Sequence, residues 1–362
     1  MTAASTRPVG GTAHAAERPG KLRTVEMGRG IAALLVVAFH VNATAHFNGL
    51  ATSNWAGPLQ FGVDFFFVLS GFIITYVHRG DVGQSAKAWP YALKRFIRLY
   101  PLLWLVVAPW MVLRTVIGEP PSAEEAGTSL LLYPSTAMPV PGVVWTLRHE
   151  ILFYFAFCVA IANRTAGLAL FGAWTLAVLW QMAMIAGGNP VEGVGAVILS
   201  SFVLDFVIGA LVALIAARHR VNSWWPLVLG LVAVAAYSVT WVLLGWNREG
   251  TLDYTGSGNL AVPLGGLAFG LSLYGLLCIE DRVRVPQFAV LLGGASYAVY
   301  LVHVPVLAVL QRFIAPLGDG IAHVLLFLLA SAAGVVVHLL FELPVTKALR
   351  SRLLPRRKPA DA

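Results

Sequence analysis

Arg29 and His40 stand eleven residues apart in RGIAALLVVAFH. At about 100° per residue that is three helical turns plus roughly 20°, so one face carries both side chains. At a rise of 1.5 Å per residue they are ~16 Å apart along the axis, a cation near one membrane face and a titratable base deeper in. An imidazole there can act as a general base or a nucleophile. The plainer reading is an Arg29 that snorkels to the headgroups and a hydrogen-bonded core His40. Asp64, in FGVDFFFVLSGF, is expected at a depth comparable to His40. A carboxylate there could orient the imidazole or cap the start of its own helix.

Three further segments carry polar groups where apolar ones are expected. WTLRHEILFYF gathers Arg148, His149 and Glu150, and Glu150 shares a face with Tyr154 four residues on, so a carboxylate and a phenol could bind a sugar hydroxyl. The alternative is an interfacial cluster that ties the helix end to a loop. KRFIRLYP places Lys94, Arg95 and Arg98 together, and Arg95 and Arg98 are spaced to hold one phosphate on a helix. Such clusters also arise from topology and anionic lipid alone. GGASYAVYLVH brings Ser296, Tyr297, Tyr300 and His303 into one stretch, where they could line a cavity or bond between helices. Asp205 and the Glu342 of FELP have no evident role at this level.

The elements that must position these groups are set by composition. Of the 362 residues, 58% are hydrophobic and 12% charged, and the mean hydropathy is +0.76. A soluble surface needs roughly 25% charge. The chain is therefore expected to be all-α, a polytopic membrane bundle of about ten spans near 25–47, 60–78, 98–117, 145–162, 166–186, 194–216, 224–246, 261–279, 289–311 and 321–342. Ten spans put both termini on one side. Lys and Arg cluster on that side, at Lys21 and Arg23, at Arg79 to Arg98, at Arg218 and Arg220, at Arg282 and Arg284 and after Lys347, whereas the opposite loops hold Arg248 and Arg312. The bias makes both termini cytoplasmic and explains the +8 formal charge without nucleic acid as a partner. Residues 1–20 read as a disordered cytoplasmic tail, 21–345 as one membrane domain and 346–362 as a basic cytoplasmic tail. The proline-rich stretch from Gly118 to Val144 reads as an ordered external loop near a site. Cys158 and Cys278 show no metal-type spacing, and no metal is expected.

In this order and over this topology, the six motifs resemble acyltransferase family 3, bacterial integral-membrane O-acyltransferases of surface and secreted polysaccharides. RGIAALLVVAFH matches that family's basic residue, ten intervening positions and histidine; FGVDFFFVLSGF, RFIRLYP, WTLRHEILFYF, SYAVYLVH and FELP follow. The resemblance implies a catalytic His40 with Arg29 as its basic companion and Glu150 as a functional acid; Asp64 joins them on the depth argument above. It implies Arg95 and Arg98, with Lys94, as contacts to the phosphates of an acyl-CoA donor. Tyr154, His149, Arg148, Ser296, Tyr297, Tyr300 and His303 would serve the substrate. The expected donor is acetyl-CoA or another acyl-CoA, the acceptor a polysaccharide or lipid-linked glycan, and the location the bacterial inner membrane among its lipids. Many relatives carry a further span and an SGNH-type hydrolase domain, and the chain is expected to work without them. A glycan or lipid transporter or flippase would also use buried ionisable groups, as would a non-catalytic subunit of polysaccharide machinery.

Overall fold

The computed structural model describes residues 22–47, 49–245 and 257–354. The expected N-terminal tail, Arg248 and the last part of the basic C-terminal segment lie outside the described residues. Among the described residues every regular element is helical: α1 (Arg23–Phe47), α2 (Gly62–His78), α3 (Ala88–Val116), α4 (Ala123–Leu131), α5 (Trp145–Ala162), α6 (Arg164–Ala186), α7 (Gly193–Ile198), α8 (Phe202–Arg218), α9 (Trp225–Leu243), α10 (Val262–Cys278), α11 (Gln287–Ile314), α12 (Asp319–Val337) and α13 (Leu343–Leu353), with short 3-10 turns between some of them. Ten stretches are long and apolar enough to cross a bilayer.

The expected spans fall on these helices, with one instructive difference. The third was expected to begin near residue 98, yet α3 starts at Ala88. Lys94, Arg95 and Arg98 interrupt the apolar run without interrupting the helix, because their side chains line an internal cavity. Polar residues at membrane depth are tolerated where they face a bundle interior or a polar cavity.

Burial separates the bundle's centre from its lipid-facing rim. The apolar window of the span containing α2 is 72% buried and that containing α5 is 67% buried, against 11% for α6. Leu168, Leu176 and Trp180 of α6 and Leu229 and Val232 of α9 are exposed, as side chains facing hydrocarbon should be.

Two helix pairs pack closely because glycines let them. A Cβ built on Gly71 of α2 would lie 2.0 Å from the Phe206 carbonyl oxygen, and one on Gly209 of α8 1.8 Å from that of Val68. Between α1 and α11 the contact is made at Gly293, where a Cβ would lie 2.0 Å from the Glu26 carbonyl oxygen. Small residues at such crossings substitute for the hydrophobic drive that lipid removes. The start of α1 is fixed by Glu280, which accepts hydrogen bonds from the backbone N–H groups of Arg23 (2.7 Å) and Thr24 (2.9 Å).

The proline-rich stretch between α3 and α5 is ordered and contains α4. Ser122 and Glu125 form a reciprocal capping box at the start of α4, and the backbone N–H of Ser122, with its side chain, holds the Glu125 carboxyl below the usual carboxylate range. At the other end of the fold α12 passes through a π turn, His338–Glu342, into α13, which packs against α3. The first part of the basic C-terminal segment is thus a helix docked on the bundle.

Candidate active site

A cavity of about 400 Å³ runs through the bundle between α1, α2, α3, α5 and α11, with α13 at one end. Helix α2 lines it from Val63 to His78, fifteen residues and therefore ~22 Å of helix axis. The cavity is long and spans much of a hydrocarbon core of roughly 30 Å.

Its two ends differ in charge. At one end stand Lys94, Arg95, Arg98 and Arg350; at the other, Val63, Phe66, Thr146 and Tyr300. Arg98 is ion-paired with Glu342, whose second oxygen is 2.7 Å from His338 Nδ1. The π turn is what presents that carboxylate to α3. Tyr297 places its ring under the Arg98 guanidinium, 5.1 Å to the centroid, and its hydroxyl donates to the Leu99 carbonyl at 2.8 Å. Arg95 lies between the rings of Tyr91 and Tyr154, each 5.5 Å away, and its Nη2 is 3.3 Å from His78 Nε2. His78 in turn donates from Nδ1 to Asp81 at 2.8 Å, which also holds Lys87 at 2.5 Å. That chain fixes the His78 tautomer so that Nε2 accepts from Arg95.

Midway stands Glu150, accepting from Tyr154 and from Ser70 Oγ at 3.2 Å. Arg29 also lines the cavity and contacts Glu26 at 3.3 Å. Ser296 Oγ is buried and has no hydrogen-bond partner among the described residues, so it is available to whatever occupies the space.

His40 lies past the apolar end. Tyr300 lines the cavity on one side and meets the His303 ring on the other, with centroids 5.9 Å apart. His303 Nε2 is 3.2 Å from His40 Nδ1. His303 Nδ1 faces the Val299 carbonyl at 3.1 Å and His40 Nδ1 faces that of Val36 at 3.0 Å. A carbonyl accepts only, so both Nδ1 atoms carry hydrogen in the neutral pair. The His303 Nε2 lone pair then receives the His40 N–H, and His40 keeps its Nε2 lone pair for chemistry.

The structure gathers Arg29, Lys94, Arg95, Arg98, Glu150, Tyr154, Ser296, Tyr297 and Tyr300 around one cavity. His40 and His303 form a pair at its apolar end, and the ring of His40 is held by Val36 and His303 rather than by a carboxylate. Asp64 is fully buried in the first turn of α2. Arg148 and His149 point away from the cavity. Arg148 donates to the carbonyls of Ser135 at 2.6 Å and Ala137 at 3.1 Å, tying the loop between α4 and α5 to α5, while His149 packs among Trp145, Phe67 and Phe202.

Ser70, His78, Thr146 and Arg350 are cavity residues that sequence reasoning did not single out. Ser70 and His78 are polar positions within an otherwise apolar run and were open to notice. Arg350 looks like any other cation of a basic terminal segment.

Comparisons with known proteins agree with this geometry. A family model described as an acyltransferase domain, that of acyltransferase family 3, matches residues 23–342. The exopolysaccharide production protein ExoZ of Rhizobium meliloti (strain 1021) is 27% identical over 310 residues, 80% of this chain and 90% of that protein. The peptidoglycan O-acetyltransferase OatA of Listeria monocytogenes serovar 1/2a is 32% identical over 81 residues, 22% of this chain and 11% of that protein. No solved structure matches the chain significantly. With a match that runs from the first turn of α1 to Glu342 and ten stretches fit to span a bilayer, the chain belongs to acyltransferase family 3 and is a multi-pass membrane acyltransferase.

Proposed function

We propose that the protein transfers an acyl group, acetyl in the simplest case, from cytoplasmic acyl-CoA to a hydroxyl of a bacterial polysaccharide or lipid-linked glycan. The observation that carries this reading is the cavity itself. It is long and narrow, cationic at one end and apolar at the other, and it ends at Tyr300, behind which His303 holds His40 with its Nε2 lone pair free. A CoA thioester has the same polarity: a phosphorylated nucleotide, an extended amide-bearing arm and an apolar acyl tip. A volume of about 400 Å³ suits the arm, within the range of small-molecule sites, with the nucleotide at the cationic mouth.

The positive-inside bias supports a cytoplasmic mouth in the bacterial inner membrane. Arg95, held by His78 and flanked by two tyrosine rings, meets the phosphates with Lys94. Arg98 has fewer free hydrogen bonds to offer because Glu342 already occupies it. Glu150 stands where an amide N–H of the arm would donate to it, and Ser296 Oγ offers a further polar contact.

At the apolar end, His40 Nε2 takes the proton of the acceptor hydroxyl as its oxygen bonds to the thioester carbonyl carbon. The C–S bond then breaks, and the imidazolium returns the proton to the departing thiolate, giving an ester and free CoA. Tyr300 and Phe66, which close that end of the cavity with ring centroids 6.0 Å apart, must give way for the tip to meet His40. The apolar surroundings limit competing hydrolysis. The names of the two relatives, one in exopolysaccharide production and one a peptidoglycan O-acetyltransferase, favour a glycan acceptor.

The test is acyl transfer from isotope-labelled acetyl-CoA by protein reconstituted in vesicles with a bacterial glycan extract. Label in an alkali-labile ester on the glycan, matched by CoA release, is the expected result. Movement of unmodified glycan or lipid without CoA release would replace this reading with a transporter.

A further inference from the structure

Three guanidinium groups of like charge converge at the cationic mouth. Arg95 and Arg98 come from α3, and Arg350 reaches the same cavity from α13, near enough to be repelled by both. Arg98 is neutralised by Glu342, and Arg29, further in, by Glu26. Arg95, Lys94 and Arg350 have no carboxylate partner among the described residues. The one carboxylate lining the cavity, Glu150, is held deeper in by Tyr154 and Ser70.

Such an arrangement costs free energy unless an anion occupies it. A lone diphosphate would be served by Lys94 and Arg95, which lie on neighbouring positions of one helix. Arg350 stands on a different element, α13, and Leu354 just past the end of that helix also lines the mouth. A second anionic group, separated from the first, is the ligand this geometry fits.

We propose that Arg350 binds the ribose 3′-phosphate of the CoA donor and makes the enzyme select CoA thioesters over thioesters that lack that group. The inference rests on the acyl-CoA reading above and adds to it a residue and a specificity. Arg350 is exposed and makes no side-chain hydrogen bond among the described residues, so its replacement should not disturb the fold, and Arg350→Lys supplies a conservative control. Phosphate chemistry could equally come from an anionic lipid headgroup, and the experiment separates the two sources.

Wild type, Arg350→Gln and Arg350→Lys would be reconstituted in phosphatidylcholine vesicles and again with phosphatidylglycerol added. KM would be measured for acetyl-CoA and for acetyl-3′-dephospho-CoA, with thermal unfolding as the check on folding. The expected result is that wild type prefers acetyl-CoA by about tenfold or more, the factor of one charge-assisted contact. Arg350→Gln should lose that preference through a higher KM for acetyl-CoA alone, and Arg350→Lys should recover part of it. Equal effects on both thioesters, or an effect seen only with phosphatidylglycerol present, would overturn the assignment. A wild type that uses both thioesters equally well overturns this inference and leaves the acyl-CoA reading standing. One that uses neither overturns both.

Discussion

His303 Nε2 sits 3.2 Å from His40 Nδ1, across the contact between α11 and α1. The two rings meet edge to face, with centroids 4.8 Å apart. Because each Nδ1 also faces a backbone carbonyl, the pair is a directed chain in which His303 accepts and His40 donates. The consequence is that His40 presents an unprotonated Nε2. A histidine rather than a carboxylate holds the ring, so orientation comes without a buried negative charge beside it.

His303→Ala should therefore lower kcat with little change in the KM for acyl-CoA, by about 10- to 100-fold. Val36 still fixes the Nδ1–H, so the loss is less than the roughly 10²- to 10⁴-fold contribution of a general base itself. His303→Gln, whose amide oxygen can accept the same hydrogen bond, should recover part of the rate. Steady-state kinetics on the two variants checks this; a parallel fall in stability and kcat with no rescue by Gln would mark His303 as packing only.

In the proposed mechanism Glu150 and Tyr154 line the path of the donor arm rather than the reacting end. Glu150→Gln should raise the KM for acetyl-CoA several-fold and move kcat less, because it removes a charged acceptor from the middle of the cavity. Tyr154→Phe should be milder, since Ser70 still donates to the carboxylate. Kinetics with varied donor at fixed acceptor separates the two parameters.

The Arg98–Glu342 pair joins α3 to the π turn and is more structural than its motif suggests. Its side chains are 24% and 3% exposed, respectively. Glu342→Ala should destabilise by about 2–4 kcal/mol, between the values for exposed and fully buried pairs, because Arg98 is left without its partner. The double variant Arg98→Met with Glu342→Leu should recover much of that stability while weakening donor binding. Thermal unfolding of wild type and both variants in detergent checks this.

Arg148 was open to a substrate role on sequence grounds, and the structure gives it a different task. Its hydrogen bonds to Ser135 and Ala137 fasten the loop between α4 and α5 to the start of α5, where the Val143 carbonyl meets the Tyr300 hydroxyl at 3.1 Å. Arg148→Met should loosen that loop, seen as faster limited proteolysis between Tyr133 and Pro141, with activity falling as Tyr300 loses its support.

Much of this arrangement was legible in the amino-acid string, for identifiable reasons. Apolar runs of membrane-spanning length announced the ten spans, since hydrocarbon admits few other structures. The 3.6-residue period correctly paired Glu150 with Tyr154, which are hydrogen-bonded. Helical periodicity says nothing about which helices touch, so the partnership of His40 with His303 could not be read, and equal depth suggested Asp64 in its place. Hydropathy also placed the start of the third span ten residues late, because it scores Lys94, Arg95 and Arg98 as solvent groups when they line a cavity. The same blindness hid Arg350, whose position depends on a π turn that brings α13 back onto α3.

In the proposed mechanism His40 Nε2 is the atom that activates the transfer. Wild type and His40→Ala, matched for thermal unfolding and reconstituted at equal density, would be compared for acceptor-dependent release of CoA from acetyl-CoA. Wild type should release CoA only with a glycan acceptor present, and His40→Ala should lose at least about 10²-fold in kcat while still binding acetyl-CoA. A His40→Ala protein that releases CoA at the wild-type rate would rule out a catalytic role for that imidazole.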